Sequence, residues 1–332
     1  LDELKPAPLA ETIDGGSIDD QADDQATLHL VDRDVAVIDY EGSNYRTDFW
    51  GGPEREYEDA VERLVLQRLV PPSGLRVAEI GAGFGRLASL YRGYQQVILF
   101  DYSRSLLQEA RERWGDDPRF VFVAGDIYKL PLASNILDTL VMVRVMHHLA
   151  DVPLALTQLA RTLHMESCAV LEFANKRHIK SVIRWLTRRQ SWSPFAEAPV
   201  EFVELNYDFH PNWMKARLTD AGFRCKQRVA VSHFRLPLLK RLVNAHWLAR
   251  IDNGIATVAG WRPYAPSVFV QASVSTGTKQ KSVAVGPASI PHLFRCPGCL
   301  AEAFEQDDSE RIRCAACGQR YARNDGIWDF KK

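Results

Sequence analysis

The sequence predicts an α/β chain: a seven-stranded, mostly parallel sheet flanked by helices, followed by a small cysteine-bearing module. Two observations carry this. Between residues 57 and 275, short apolar runs alternate with amphipathic stretches of about ten residues, the mark of strand–helix–strand crossovers. Near the end, Cys296, Cys299, Cys314 and Cys317 form two Cys-x-x-Cys pairs, after a Ser/Thr/Gly/Lys-rich stretch with no large core residue.

The elements follow in order. Ala60, Val61, Leu64, Leu66 and Leu69 fall at helical spacing, and Pro71-Pro72-Ser73-Gly74 stops that helix. Leu75–Ile80 is a strand and 86–94 a helix. Gln96–Phe100 is a strand, Ser103–Trp114 a helix and Phe120–Val123 a strand. Leu137–Val143 is a strand, Val152–Leu163 a helix and Ala169–Phe173 a strand. Cys225–Val231 and Ser267–Val274 complete the seven. Lys176–Gln190 and Arg235–Ile251 read as apolar-basic helices outside the repeating unit. No internal repeat is visible.

With 332 residues the chain has room for one large domain and a small one. Residues 1–34 are acidic, with Lys5 and Arg33 the only Lys or Arg, and read as a disordered tail. Thr27–Val31 and Val35–Tyr40 are candidates for a short hairpin. The main domain is placed at 35–275, a linker at 276–290 and the cysteine module at 291–332. A net charge of -1 gives no general bias toward nucleic acid or anionic membrane. No apolar run reaches the length of a membrane span, and no secretory leader is recognisable, so a cytoplasmic chain is expected. Cys168 and Cys225 stand alone in apolar contexts and read as small buried side chains.

The chemistry starts at Glu79-Ile80-Gly81-Ala82-Gly83-Phe84-Gly85-Arg86, between a strand and a helix. Glycine there allows a tight turn and close approach of a ligand to the main chain. The spacing fails Gly-x-Gly-x-x-Gly, since Arg86 follows Gly85, and no P-loop motif is present. Asp101 ends the second strand and can accept from both ribose hydroxyls. Asp126, just past the third, can accept from an exocyclic amine, with the Ile127 amide beside it. Taken singly, either carboxylate is also an ordinary turn or helix cap.

These residues, with Asp138-Thr139-Leu140-Val141-Met142-Val143-Arg144, resemble the motif series of class I S-adenosylmethionine (SAM)-dependent methyltransferases. The nearest likeness is to the subgroup containing the quinone-biosynthesis enzymes, over about residues 45–275. The resemblance implies a Rossmann-like fold, methyl transfer and SAM as co-substrate. It implies that Gly81, Ala82 and Gly83 face the methionine part, that Glu79 organises the loop, and that Asp101 holds the ribose, with Tyr102 beside it a further cofactor-binding candidate. Asp126 and Ile127 would hold the adenine, and Val143 and Arg144 would lie near the sulfonium. Asn44–Trp50 would fold over the cofactor, with Tyr45 near the methionine; packing against the sheet edge is the alternative. Where the family often has Pro-Gly-Gly before its fifth strand, this chain has His164-Met165-Glu166-Ser167, remote from the cofactor.

Methyl transfer from a sulfonium needs mainly a positioned nucleophile, and a base only where that nucleophile starts protonated. The fourth strand ends in Val143-Arg144-Val145-Met146-His147-His148, without the Asn/Asp-Pro-Pro-Tyr/Phe run of enzymes that methylate base or amide nitrogens. His147 or His148 is therefore the candidate general base for an O or C nucleophile; capping and packing are the alternatives. Glu201–Pro211 is a candidate wall of the acceptor pocket.

Two Cys-x-x-Cys pairs in a cytosolic chain point to a tetrahedral S₄ metal site, suited to structural Zn²⁺. A module this small cannot bury enough core alone, so metal binding is expected to drive its folding. Residues 292–330 resemble the small zinc-ribbon protein that binds and activates several translation-related methyltransferases. That likeness implies an activator fused in cis.

Three functions follow. The first is methyl transfer to a small organic acceptor. The second is methylation of RNA or a translation factor, guided by the ribbon. The third is a non-catalytic SAM-binding or zinc-ribbon interaction module. The 176–189 segment, rich in Lys and Arg with an apolar face at Ile179, Val182, Ile183 and Leu186, has three readings. It is a helix covering the site, a peripheral membrane contact or an RNA patch.

Overall fold

The computed structural model describes residues 35–52, 55–275 and 289–331. The acidic stretch 1–34, the first arm of the expected hairpin and most of the linker lie outside the described residues. The second arm, 35–40, is a strap that pairs with no strand among the described residues.

In chain order the elements are α1 (Tyr45–Trp50), α2 (Glu56–Leu69), β1 (Gly74–Ile80), β2 (Tyr94–Asp101), α3 (Arg104–Trp114), β3 (Phe120–Ala124), β4 (Leu137–Met142), α4 (Val152–Arg161), β5 (Leu163–Ala174), α5 (Ile179–Leu186), β6 (Val200–Val203), β7 (Asn206–Asp208), α6 (Pro211–Asp220), β8 (Phe223–Val231), α7 (Pro237–Leu242), α8 (Ala245–Ala259) and β9 (Ser267–Val274). The C-terminal module adds β10 (Phe304–Asp308), β11 (Arg311–Cys314), β12 (Arg320–Asn324) and β13 (Ile327–Asp329).

The main sheet runs β3-β2-β1-β4-β5-β9-β8, parallel except for β9, which is antiparallel to both neighbours. This is the expected seven-stranded, Rossmann-like sheet. Strand order reverses at β1, between β2 and β4, so the crevice for a ligand opens at the carboxyl end of β1. Side chains alternate across the sheet. Ala78, Ile80, Ile98 and Phe100 pack toward α4 and α6. Val77, Val97, Leu99 and Val141 pack toward α2, α3 and α8.

Three expectations are corrected. Residues 86–94 are not a helix: the glycine turns take up 81–85 and β2 already begins at Tyr94, which leaves one 3₁₀ turn, Ala88–Leu90. The 235–251 helix is two. Val243 is extended, and the Asn244 side chain accepts from the His246 and Trp247 amides, starting α8 afresh. Cys168 is buried, but Cys225 is exposed on the edge strand β8.

The cysteine module does not stand apart. β13 pairs in parallel with β3, with Ile327, Trp328 and Asp329 opposite Phe122, Val123 and Ala124, so its four strands extend the sheet. Ala133 N–H donates to the Leu293 carbonyl and Arg295 N–H to that of Pro131. Phe294, Phe304, Tyr321, Trp328 and Phe330 join the core that contains Leu130, Leu132 and Ile136. The module's apolar core is therefore shared, which amends the expectation that metal alone drives its folding.

Candidate functional site

Beyond β1 the backbone enters the left-handed region at Gly81 (φ 72°) and Gly83 (φ 52°). The Gly81 and Ala82 amides donate to the Phe100 carbonyl at 2.8 and 3.0 Å, pinning the turn to β2. A Cβ at Gly81 would lie 2.1 Å from Val145 Cγ2, so the loop after β4 packs directly on this turn. Asp101 Oδ2 accepts from Gly83 N–H at 2.7 Å and Oδ1 from Ser103 N–H at 2.9 Å. Burial raises the Asp101 carboxyl, and those amides offset part of the rise.

A cleft opens here. It is lined by Gly81, Gly83, Asp101, Tyr102, Ile127, Arg144, Val145, His148, Tyr45 and, from the strap, Val37, Ile38 and Tyr40. Of the cofactor candidates, Tyr45, Gly81, Gly83, Asp101, Tyr102, Ile127 and Arg144 meet in it. Glu79, Ala82, Asp126 and Val143 do not line it. Asp126 caps the 127–129 turn, its Oδ1 accepting from Tyr128 N–H at 2.8 Å. Glu79 lies beneath the loop, and burial pushes its carboxyl up to about 7. Its neighbour there is the buried Tyr91 hydroxyl.

The strap and α1 form the roof. Glu41 caps α3 through the Arg104 and Ser105 amides, at 2.7 and 3.1 Å. Arg46 pairs with Glu109 at 2.8 Å. Tyr45 stacks on Phe49 and meets Tyr40 at 4.9 Å. Trp50 lies over the Arg86 guanidinium at 3.8 Å, with Arg144 at 5.1 Å from the same ring.

Those two arginines share a residue that sequence reading missed. The buried Glu62 on α2 accepts from Arg86 at 2.6 Å and from Arg144 Nε at 2.7 Å. Burial by itself would raise the Glu62 carboxyl, but the paired guanidiniums hold it low. Arg144 has φ 60°, and its amide donates to Glu172 Oε2 at 2.9 Å; Glu172 Oε1 takes the Ser267 hydroxyl at 2.6 Å. One carboxylate thus ties the glycine loop to the loop after β4. The only sequence signal was Glu58, Asp59 and Glu62 clustered on one helix face.

The two histidines differ. His148 Nδ1 faces the Leu205 carbonyl at 3.2 Å, so Nδ1 must carry the proton; Nε2 then accepts from the Tyr40 hydroxyl at 3.2 Å. Both nitrogens are engaged. His147 Nδ1 is buried without a partner among the described residues. Burial, then His148, Arg144 and Arg235, keep the His147 imidazole neutral by lowering its pKa well below the usual range. The β6–β7 hairpin of the expected acceptor wall packs on this turn. Its Asp208 carboxyl is raised to about 6 by burial, against the pull of Arg235 and Lys176.

Residues 78–171 match the family model of a methyltransferase domain. That match covers under a third of the chain. The chain is similar to the malonyl-(acyl-carrier protein) O-methyltransferase of Legionella pneumophila, 27% identical over 111 residues, 32% of this chain and 38% of the relative. It is also similar to the ribosomal RNA small subunit methyltransferase A of Gloeobacter violaceus, 36% identical over 78 residues, 22% of this chain and 29% of the relative. The chain therefore spans well under half of either relative. A SAM-dependent methyltransferase structure from Mesorhizobium loti is 19% identical with TM-score 0.46, covering 65% of this chain and 99% of that one.

In the C-terminal module the four cysteine sulfurs lie within 4.8 Å of one another. Cys296 and Cys317 sulfurs are 3.7 Å apart, and those of Cys299 and Cys314 3.5 Å. Zn–S bonds of about 2.3 Å in a tetrahedron require S···S spacings of roughly 3.8 Å. The donor set and its spacing fit Zn²⁺.

Proposed function

We propose that this chain transfers the methyl group of SAM to an O or C nucleophile of a small organic acceptor. The observation that carries the reading is the cleft over Gly81 and Gly83, with the Asp101 carboxylate held at its edge by backbone amides. Asp101 would hold the ribose, the Gly81–Gly83 backbone the methionine part, and Ile127 the adenine, with Tyr102 lining the same cleft. Glu79 beneath the loop, with the Tyr91 hydroxyl beside it, would support the turn from below. Bound SAM supplies an electrophilic methyl on its sulfonium. The chain's own part is to exclude water with Tyr40, Tyr45 and the strap, and to hold the acceptor against that methyl. His147 and His148 are the candidates to take a proton: His148 lines the cleft with its nitrogens against Tyr40 and Leu205, while burial and the nearby Arg144 and Arg235 disfavour a protonated His147. Cys296, Cys299, Cys314 and Cys317 would hold a structural Zn²⁺.

Incubating metabolite and RNA fractions with labelled SAM tests this: label should enter the small-molecule fraction. Asp101→Ala should weaken SAM binding more than tenfold by calorimetry, and an unchanged affinity would sink the cofactor assignment. A second reading, methylation of RNA or a translation factor with the ribbon as built-in activator, is favoured by the β13–β3 pairing. Label in the RNA or protein fraction would establish it instead.

A further inference from the structure

We propose that α5, α7 and α8 together form a docking surface for an anionic lipid bilayer. On α8, Trp247, Ile251, Ile255 and Val258 recur at helical spacing, and all are exposed, Val258 at 76%. That helix buries Leu248, Ala249 and Ala256 on its other side, against α2, so its inner face is already satisfied. On α7, Leu238 and Leu242 stand one turn apart, Leu242 at 75% exposure. On α5, Ile179, Ile183 and Leu186 make a third stripe, Leu186 at 67%, while Ser181 is that helix's buried residue. The stripe that sequence reading assigned to a single helix is thus one of three. The two arms leave the carboxyl ends of β5 and β8, and they meet where Ile179 N–H donates to the Tyr264 carbonyl at 2.9 Å. Trp261, at 82% exposure, lies on the connecting turn.

Charge selects the occupant. Lys180, Arg184, Arg188 and Arg189 flank the first stripe; Arg241, Arg250 and Arg262 flank the others; all are exposed. Residues 176–196 contain no acid, and 221–266 contain only Asp252, which is buried against His233, Ser232 and Tyr57. Acids resume at Glu197, Glu201 and Glu204, on the loop and hairpin after α5. A second copy is a poor occupant, because a two-fold interface sets each patch on itself and would bring these cations together. Aliphatic stripes on helices offer little to nucleic acid, which calls for flat aromatic stacking. An anionic bilayer supplies both an apolar layer for the stripes and headgroup charge for the rim, with tryptophans suited to the boundary.

The test is sedimentation of the full chain with phosphatidylcholine vesicles, with and without phosphatidylglycerol. It needs no turnover, so its outcome is separate from that of the methyl-transfer reading. Binding is expected only with the anionic lipid. Arg184→Gln with Arg250→Gln should weaken it about thirtyfold. Ile183→Ser with Val258→Ser should abolish it while circular dichroism and melting stay unchanged. On the bound chain, hydrogen-exchange protection should fall on α5, α7 and α8. Equal binding to neutral vesicles, or protection elsewhere, overturns the proposal. So does a dimer in sedimentation velocity with protection on this face. Failure to bind vesicles overturns it too, and capture of poly-glutamate in that case would point to an acidic protein as occupant.

Discussion

Glu79 offers a quantitative test of how the cofactor loop is built. Its side chain is buried under the turn at Gly81, with the buried Tyr91 hydroxyl beside it. Burial raises its pKa from 4.5 to about 7; Arg86 pulls the other way without cancelling the effect. For an acid raised on folding, the native state binds the proton more tightly than the unfolded chain. The group's stabilisation is therefore fully present below 4.5 and is lost as pH rises through about 7. That interval corresponds to about 3 kcal/mol, at ~1.4 kcal/mol per pH decade. Glu79→Gln keeps the shape and removes the titration. Urea unfolding of both proteins at pH 5 and pH 8 gives two stability differences. Their change should be about 2–3 kcal/mol, with the glutamine form gaining relative to wild type at the higher pH. A difference that stays flat across this range would refute the reasoning, since the carboxyl would then be titrating as if exposed.

Gly81→Ala should cost about 1–2 kcal/mol for the left-handed backbone, plus about 1–3 kcal/mol for forcing a Cβ against Val145, a stiff β-branched neighbour. Adding Val145→Ala should recover only the second part in denaturant melts; full recovery would mean the backbone is not strained. Glu62→Gln leaves Arg86 and Arg144 without their shared counter-charge and should cost about 3–5 kcal/mol at neutral pH. Because Glu62 is held low, that stabilisation is lost as pH falls through its folded pKa, so the mutant and wild-type stabilities should converge in acid. Metal analysis should find about one zinc per chain, lost in Cys314→Ser. Since Trp328 and Phe330 share the main core, chelation should lower a single cooperative melting transition; a separate early transition would show the module folding apart.

Much of the cleft was legible because its parts sit at strand ends. A strand pattern locates its own carboxyl end, and so located Gly81, Asp101, Ile127 and Arg144 without any contact being known. Residues that act across the chain left weaker traces. Tyr40, Val37 and Ile38 reach the cleft through a strap with no periodicity, anchored by Glu41 on the end of α3. Glu62 looked like one more acid on an amphipathic helix until Arg86 and Arg144 were seen to converge on it. Asp126 was legible as a carboxylate with ligand or cap as its readings, and the folded backbone shows it capping Tyr128.

The sequence alone determined the sheet, the glycine turn and the two cysteine pairs, because hydrophobic period, backbone freedom and ligand spacing are local properties of the chain. Tertiary structure decided the rest. It set β13 beside β3, made one carboxylate serve two arginines, and separated His147 from His148 by their partners. It also left three apolar stripes uncovered. Each depends on which distant segments meet, and neither spacing nor composition carries that information.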